Sequence, residues 1–158
     1  MSTIACAQFI DAILGEHRTM RALLASANSL ASNARALGQA GAPPFRVVLA
    51  NLNTLLVPHE TRESKLLFPK LRKRCPPLGS VLDRMESEHK GLAGGLAALL
   101  ARIPQGSDMW QRQDFESFCA DWHQFASTVI GHMSVEESYI VPVAADFLTL
   151  EDWNAIVT

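Results

Sequence analysis

The sequence predicts an all-α protein: an up-down-up-down antiparallel four-helix bundle with a pseudo-twofold hairpin repeat and a short C-terminal helix. Three observations predict it. Apolar residues recur at helical spacing over long stretches, with no clear alternating strand pattern. Three short breaks, GQAGAPP (38–44), CPPLGS (75–80) and PQGSD (104–108), divide four such stretches, and short connections make neighbouring helices antiparallel. The chain also repeats itself. HETRESKLLFP, His59 to Pro69, aligns with HMSVEESYIVP, His132 to Pro142, pairing His with His, Glu63 with Glu136, Ser64 with Glu137 and Pro with Pro.

The first helix is expected from about Thr3 to about Leu37, capped by Ser2 or Thr3 and ended by the glycine-rich break. The second runs from about Pro44 to about Arg74. Pro58 lies inside it, removes one backbone donor and predicts a kink. The third runs from about Leu78 to about Ile103. The fourth, from about Met109 to about Ala145, takes Ser107 or Asp108 as its cap. Thr149 and Asp152 have the spacing of an N-terminal cap, which predicts the short last helix up to Val157. In the first helical pair, GEHRTM (Gly15–Met20) resembles SEHKGL (Ser87–Leu92) in the third helix. His17 to His59 is 42 positions and His89 to His132 is 43, so each half reads as one hairpin, and two hairpins bury each other's apolar faces. One height does not match: His89 falls about 14 residues before the end of the third helix, whereas His132 falls about 23 after the start of the fourth. Either the fourth helix overhangs the bundle, or Met109 to Asp114 is a separate segment.

A chain of 158 residues fits one domain, residues 1–158, with a sizeable core. Hydrophobic residues are 48% and charged residues 19%, as in an ordinary soluble protein. Net charge is −2 with no basic block, which argues against nucleic acid or an anionic membrane as partner. No apolar run approaches the roughly 20 residues of a membrane span. The stretch MSTIACAQF lacks a basic head before an apolar run, so no signal peptide is expected. Three isolated cysteines, Cys6, Cys75 and Cys119, point to a reducing cytoplasm without disulfides.

Positions seven residues apart on a helix lie within about 20° of one face. Around His17 these are Ile10 and Leu24, around His59 Leu52 and Leu66, around His89 Leu82 and Leu96, and around His132 Phe125 and Tyr139. Each histidine therefore sits in an apolar stripe and faces the interior. His123 is nine residues from His132, about half a turn away in angle, and should face elsewhere. Glu63 and Glu136 follow a histidine by four residues, on the same face. Buried and unpaired, such carboxylates would cost several kcal/mol. A metal resolves this, because imidazole and carboxylate suit borderline or harder cations and a carboxylate can bridge two. A single buried histidine is more often a core residue than a ligand; four on four helices, with His-x-x-x-Glu written twice, point to a dinuclear site.

The combined pattern resembles the hemerythrin-like, or HHE cation-binding, domain family: His17 on the first helix, His59 and Glu63 before LLFP on the second, His89 on the third, and His132 and Glu136 before YIVP on the fourth. The resemblance covers about Ile10 to Phe147. It implies a di-iron centre, oxo- or hydroxo-bridged, with His17 and His59 on one iron, His89 and His132 on the other, and Glu63 and Glu136 bridging. The hairpin repeat leads to the same partition. Manganese or zinc are possible substitutes. Oxygen-carrying hemerythrins place two histidines four apart on the third helix, but here the positions four either side of His89 are Met85 and Ala93. Glu60 is implied as an extra ligand, because a sub-group of the family, including an iron-sensing F-box protein of animals, uses a Glu directly after that histidine; the alternative is a solvated carboxylate. Glu86 makes Glu-x-x-His with His89, the ferritin-like spacing, but the position three before His132 is Val129. Glu86 is instead expected as a hydrogen-bond partner of the site, Glu16 and Glu88 as solvated, and Tyr139 as a pocket-lining or rim residue. Four histidines and two or three carboxylates leave positions for a small ligand such as dioxygen, nitric oxide or peroxide. The expected function is binding or sensing of that ligand. The alternatives are a di-iron enzyme handling peroxide or nitric oxide, a donor of iron for repair of damaged iron centres, and a bundle whose metal is structural.

Overall fold

A computed structural model describes residues 3–37, 42–105 and 110–157. Every regular element among them is helical. Helix α1 spans Thr3–Leu37 and α2 spans Ala42–Arg62. A π-helical turn, Glu63–Leu67, leads into α3 (Phe68–Arg74) and a 3₁₀ turn (Pro76–Leu78). Helix α4 is Gly79–Arg102 and α5 is Arg112–Val135. A second π-helical turn, Glu136–Ile140, leads into α6 (Val141–Phe147), and α7 (Leu150–Val157) ends the described chain.

Both predicted hairpin second helices are thus broken in the same place. The Phe68 N–H bonds to the Glu63 carbonyl, and the Val141 N–H to the Glu136 carbonyl, each five residues back. Pro69 and Pro142 follow immediately. A proline ring in a regular α-helix strikes the carbonyl four residues before it, here Lys65 and Ser138. A turn widened by one residue gives that carbonyl room. This is why each half writes Glu and then Pro six positions later. Helix α2 runs on through Pro58.

The extra residue corrects the expected faces. Leu66 and Tyr139, predicted to point inward, are 38% and 49% exposed, whereas Leu67 and Ile140 are buried. Beyond each π turn the inward position is eight residues after the histidine rather than seven. The fourth helix begins at Arg112, with Trp110 already packed on Phe45 at 5.5 Å between ring centroids. Met109, Ser107, Asp108 and the Ser2/Thr3 cap lie outside the described residues or side chains. The last cap is present: the Thr149 N–H donates to Asp152 Oδ2 at 3.0 Å, and the Asp152 N–H to Thr149 Oγ1 at 3.3 Å. Arg74 Nε donates to Asp152 at 2.7 Å and anchors α7.

Helix α1 packs on α2, α5 and α7, and α4 on α2 and α5. The buried apolar residues form two separate clusters. The larger holds Met20, Leu24, Leu52, Leu56, Leu92, Leu96, Val129 and Met133 among others. The smaller holds Phe9, Ile13, Leu67, Phe68, Leu82, Met85, Ile140 and, from α7, Trp153. On each of the four long rods the histidine falls between the two: Ile13, His17, Met20 on α1; Leu56, His59, Leu67 along α2 and its π turn; Met85, His89, Leu92 on α4; Val129, His132, Ile140 along α5 and its π turn. A polar layer therefore divides the core.

Candidate metal centre

The four helical stripes bring one ring each into that layer. His17, His59, His89 and His132 are all buried, as are Glu63 and Glu136. All four rings turn Nε2 inward. His17 Nε2 lies 3.1 Å from His59 Nε2 and 3.1 Å from Glu136 Oε2. His132 Nε2 lies 2.9 Å and His89 Nε2 3.7 Å from Glu136 Oε1. Glu63 Oε2 lies 3.5 Å from both His59 Nε2 and His89 Nε2. The donor atoms fall into two groups, each within 4.8 Å: His17, His59 and Glu136, and Glu63, His89, His132 and Glu136. Glu136 belongs to both. Its position follows from the π turn, since the carboxylate projects from the first residue of the widened segment.

Each ring is held from behind by Nδ1. His17 Nδ1–H donates to Glu137 Oε1, His59 Nδ1–H to Glu16 Oε2 and His132 Nδ1–H to Glu88 Oε2, all at 2.8 Å. A carboxylate only accepts, so these bonds keep the proton on Nδ1 and aim the Nε2 lone pair inward. His89 Nδ1 meets the Ser64 hydroxyl at 2.8 Å instead. Arg21 braces Glu137 with bonds of 2.7 and 3.0 Å, and Arg62 braces Glu16.

These outer partners correct the sequence expectation. Glu16 and Glu88 are not merely solvated; they orient His59 and His132 of the neighbouring helices. Glu86 does not reach the site and pairs with Arg72 at 3.1 Å. Tyr139 points to solvent, and His123 is exposed as expected. Glu60 is not a solvated carboxylate: it is 5% exposed, though outside both donor groups. The signal for Glu16 and Glu88 was the repeated Glu-His dipeptide, and for Ser64 and Glu137 their matched place five residues after a histidine.

From protein groups alone the layer is electrically strained. Burial opposes charge on His59, yet Glu63, Glu136 and Glu16 push its pKa up to about 10. Burial also opposes the charged His132 ring, but Glu136 and Glu88 raise it. Burial prevails at His89, helped by the other rings, and lowers it despite Glu136. Four imidazoles outweigh burial at Glu136 and hold it well below the usual carboxylate range. Burial, then the charge of Glu136, pushes Glu63 well above it. Burial raises Glu60 to about 8 against the pull of His132 and His59.

The residues fit a cation. Glu60 Oε1, Glu63 Oε2, both Glu136 oxygens, His89 Nε2 and His132 Nε2 are buried without a hydrogen-bond partner. The contacts to Glu136 are close, but they lack hydrogen-bond alignment. Inward lone pairs and unpaired carboxylate oxygens in one layer are costly together, and a positive ion satisfies them all.

The profile of the hemerythrin HHE cation binding domain matches residues 8–144. The chain belongs to the hemerythrin HHE family. The hemerythrin domain takes in all seven candidate ligands and leaves α7 outside. No individually curated protein matches the chain.

Proposed function

We propose that this hemerythrin-family chain is a non-haem di-iron protein that binds or senses a small ligand such as dioxygen, nitric oxide or peroxide. The observation that carries it is the two-group donor layer. His17 and His59 hold one ion, His89 and His132 the other, and Glu136 and Glu63 lie between. Glu60 is the additional ligand: buried, with an unpaired oxygen, and influenced by one ring of each pair. When bound, two ferrous ions supply electrons and open coordination positions to the incoming molecule. The chain itself does four things. Glu16, Glu88 and Glu137 fix the ring tautomers. The two apolar clusters exclude bulk water from either side of the layer. Burial keeps Glu60 and Glu63 high in pKa, so each can hold a proton on its carboxyl oxygen when fewer cations are near. The π turns set the depth of Glu63 and Glu136.

The rods run up-down-up-down in this reading. Support comes from the order in which they cross the layers: α1 and α4 pass from the smaller cluster to the larger, and the second rod and α5 pass back. We also place the protein in the cytoplasm, a proposal supported by three free cysteines. Among the described residues, no helix is long and apolar enough to cross a membrane.

Elemental analysis of anaerobically purified protein, with absorption spectra before and after air and nitric oxide, tests the reading. Two iron ions per chain and a reversible spectral change are expected. A redox-silent chain, whose metal only holds the bundle together, would remove the sensing function. Steady loss of peroxide would favour the enzyme.

A further inference from the structure

We infer that the ion held by His89 and His132 exchanges faster than its neighbour, because Ser64 backs His89 where a carboxylate backs each of the other three rings. This rests on the two-ion reading above and sharpens it. The outer bonds have equal length, 2.8 Å, so the difference is chemical and not a matter of reach. A carboxylate behind the ring accepts only, pins the proton on Nδ1, and by its charge makes Nε2 a stronger donor. A hydroxyl is neutral and can donate or accept, so it does neither.

The repeat supplies an internal control. The position equivalent to Ser64 is Glu137, which serves His17. The position equivalent to Arg21, which braces Glu137, is Ala93. Both members of that carboxylate–arginine support are absent on the His89 side. His89 is also the most exposed of the four side chains, at 6% against 0% for His17, 1% for His59 and 2% for His132. The Phe68 ring stacks on His89 at 5.5 Å between centroids and adds no charge.

The test loads the full chain anaerobically with ferrous ion, adds an excess of a coloured ferrous chelator, and follows release while elemental analysis counts what is retained. Two phases of one ion each are expected, the fast one about tenfold or more quicker, the scale of an outer-partner effect on metal affinity. Ser64→Glu should slow the fast phase about tenfold and leave the slow phase alone. Glu137→Ser should quicken the slow phase. Should Ser64→Glu not fold, Ser64→Ala should quicken the fast phase only. Release of both ions in one phase, or Ser64 variants that move only the slow phase or neither, overturns the inference and leaves the two-ion centre standing. A chain that takes up no more than one ion overturns both.

Discussion

Asp152→Asn isolates one charge at the junction that fastens α7 to the bundle. Asp152 accepts from Arg74 Nε at 2.7 Å and from the Thr149 N–H at 3.0 Å, and it is 7% exposed. Burial works against its charge, but Arg74 and Thr149 outweigh it and hold the pKa at about 2, against an ordinary 3.8. A shift approaching two units corresponds to about 2.4 kcal/mol at most, at about 1.36 kcal/mol per unit. The Arg74 side chain is 34% exposed, so water screens the pair and about 1 to 1.5 kcal/mol is the expected loss. Asparagine keeps the shape and an acceptor for Thr149. The folded pKa lies below the unfolded one, so the stabilisation is complete above about pH 5 and fades as pH falls through 3.8 toward 2. Urea unfolding of both proteins, stripped of metal, should show a constant deficit between about pH 7 and pH 5, with roughly half of it gone near pH 3. A deficit that persists undiminished in acid, or none at neutrality, would refute the assignment of this energy to the charge.

The π turns predict a contrast between neighbours: Leu67→Ala should cost about 2 to 4 kcal/mol in chemical unfolding, while Leu66→Ala should stay within about 0.5. Equal effects would mean that the register is not shifted. Glu136→Gln should cut bound metal from two ions to one or fewer, because Glu136 belongs to both donor groups, whereas His123→Ala should leave the metal count unchanged; inductively coupled plasma analysis reads both. Trp153 is fully buried against Phe9, and Trp153→Ala should cost about 3 to 5 kcal/mol, seen as a lower denaturation midpoint.

Much of the fold and the inward ring of histidines was legible, because both depend on local periodicity. His17, His59, His89 and His132 could be placed from residues seven positions away. The cap of α7 could be read from Thr149 and Asp152 alone, since its partners are three residues apart. What failed needed a partner outside the helix. Glu16 and Glu88 sit about 100° around from their neighbouring histidines, and one chain's periodicity does not reveal that another helix lies on that side. Leu66 and Tyr139 failed for a different reason. A 3.6-residue pattern carries no provision for an inserted residue, although Pro69 and Pro142, six after a glutamate in both halves, marked where it falls. The start of α5 was set at about Met109 from the PQGSD break and the cap residues after it, whereas Trp110 and Gln111 precede the first helical turn, which begins at Arg112.

A band of acid and imidazole across the middle of a bundle works like a gasket between two oil-filled chambers. Neither chamber is continuous with the other, so what joins them through the interior is whatever neutralises the band. If iron does so, supply of the metal and persistence of the folded chain share one equilibrium, and about 2.7 kcal/mol of extra stability accrues when free metal stands a hundredfold above its dissociation constant. A cell short of iron would then hold less of this protein without any change in its synthesis.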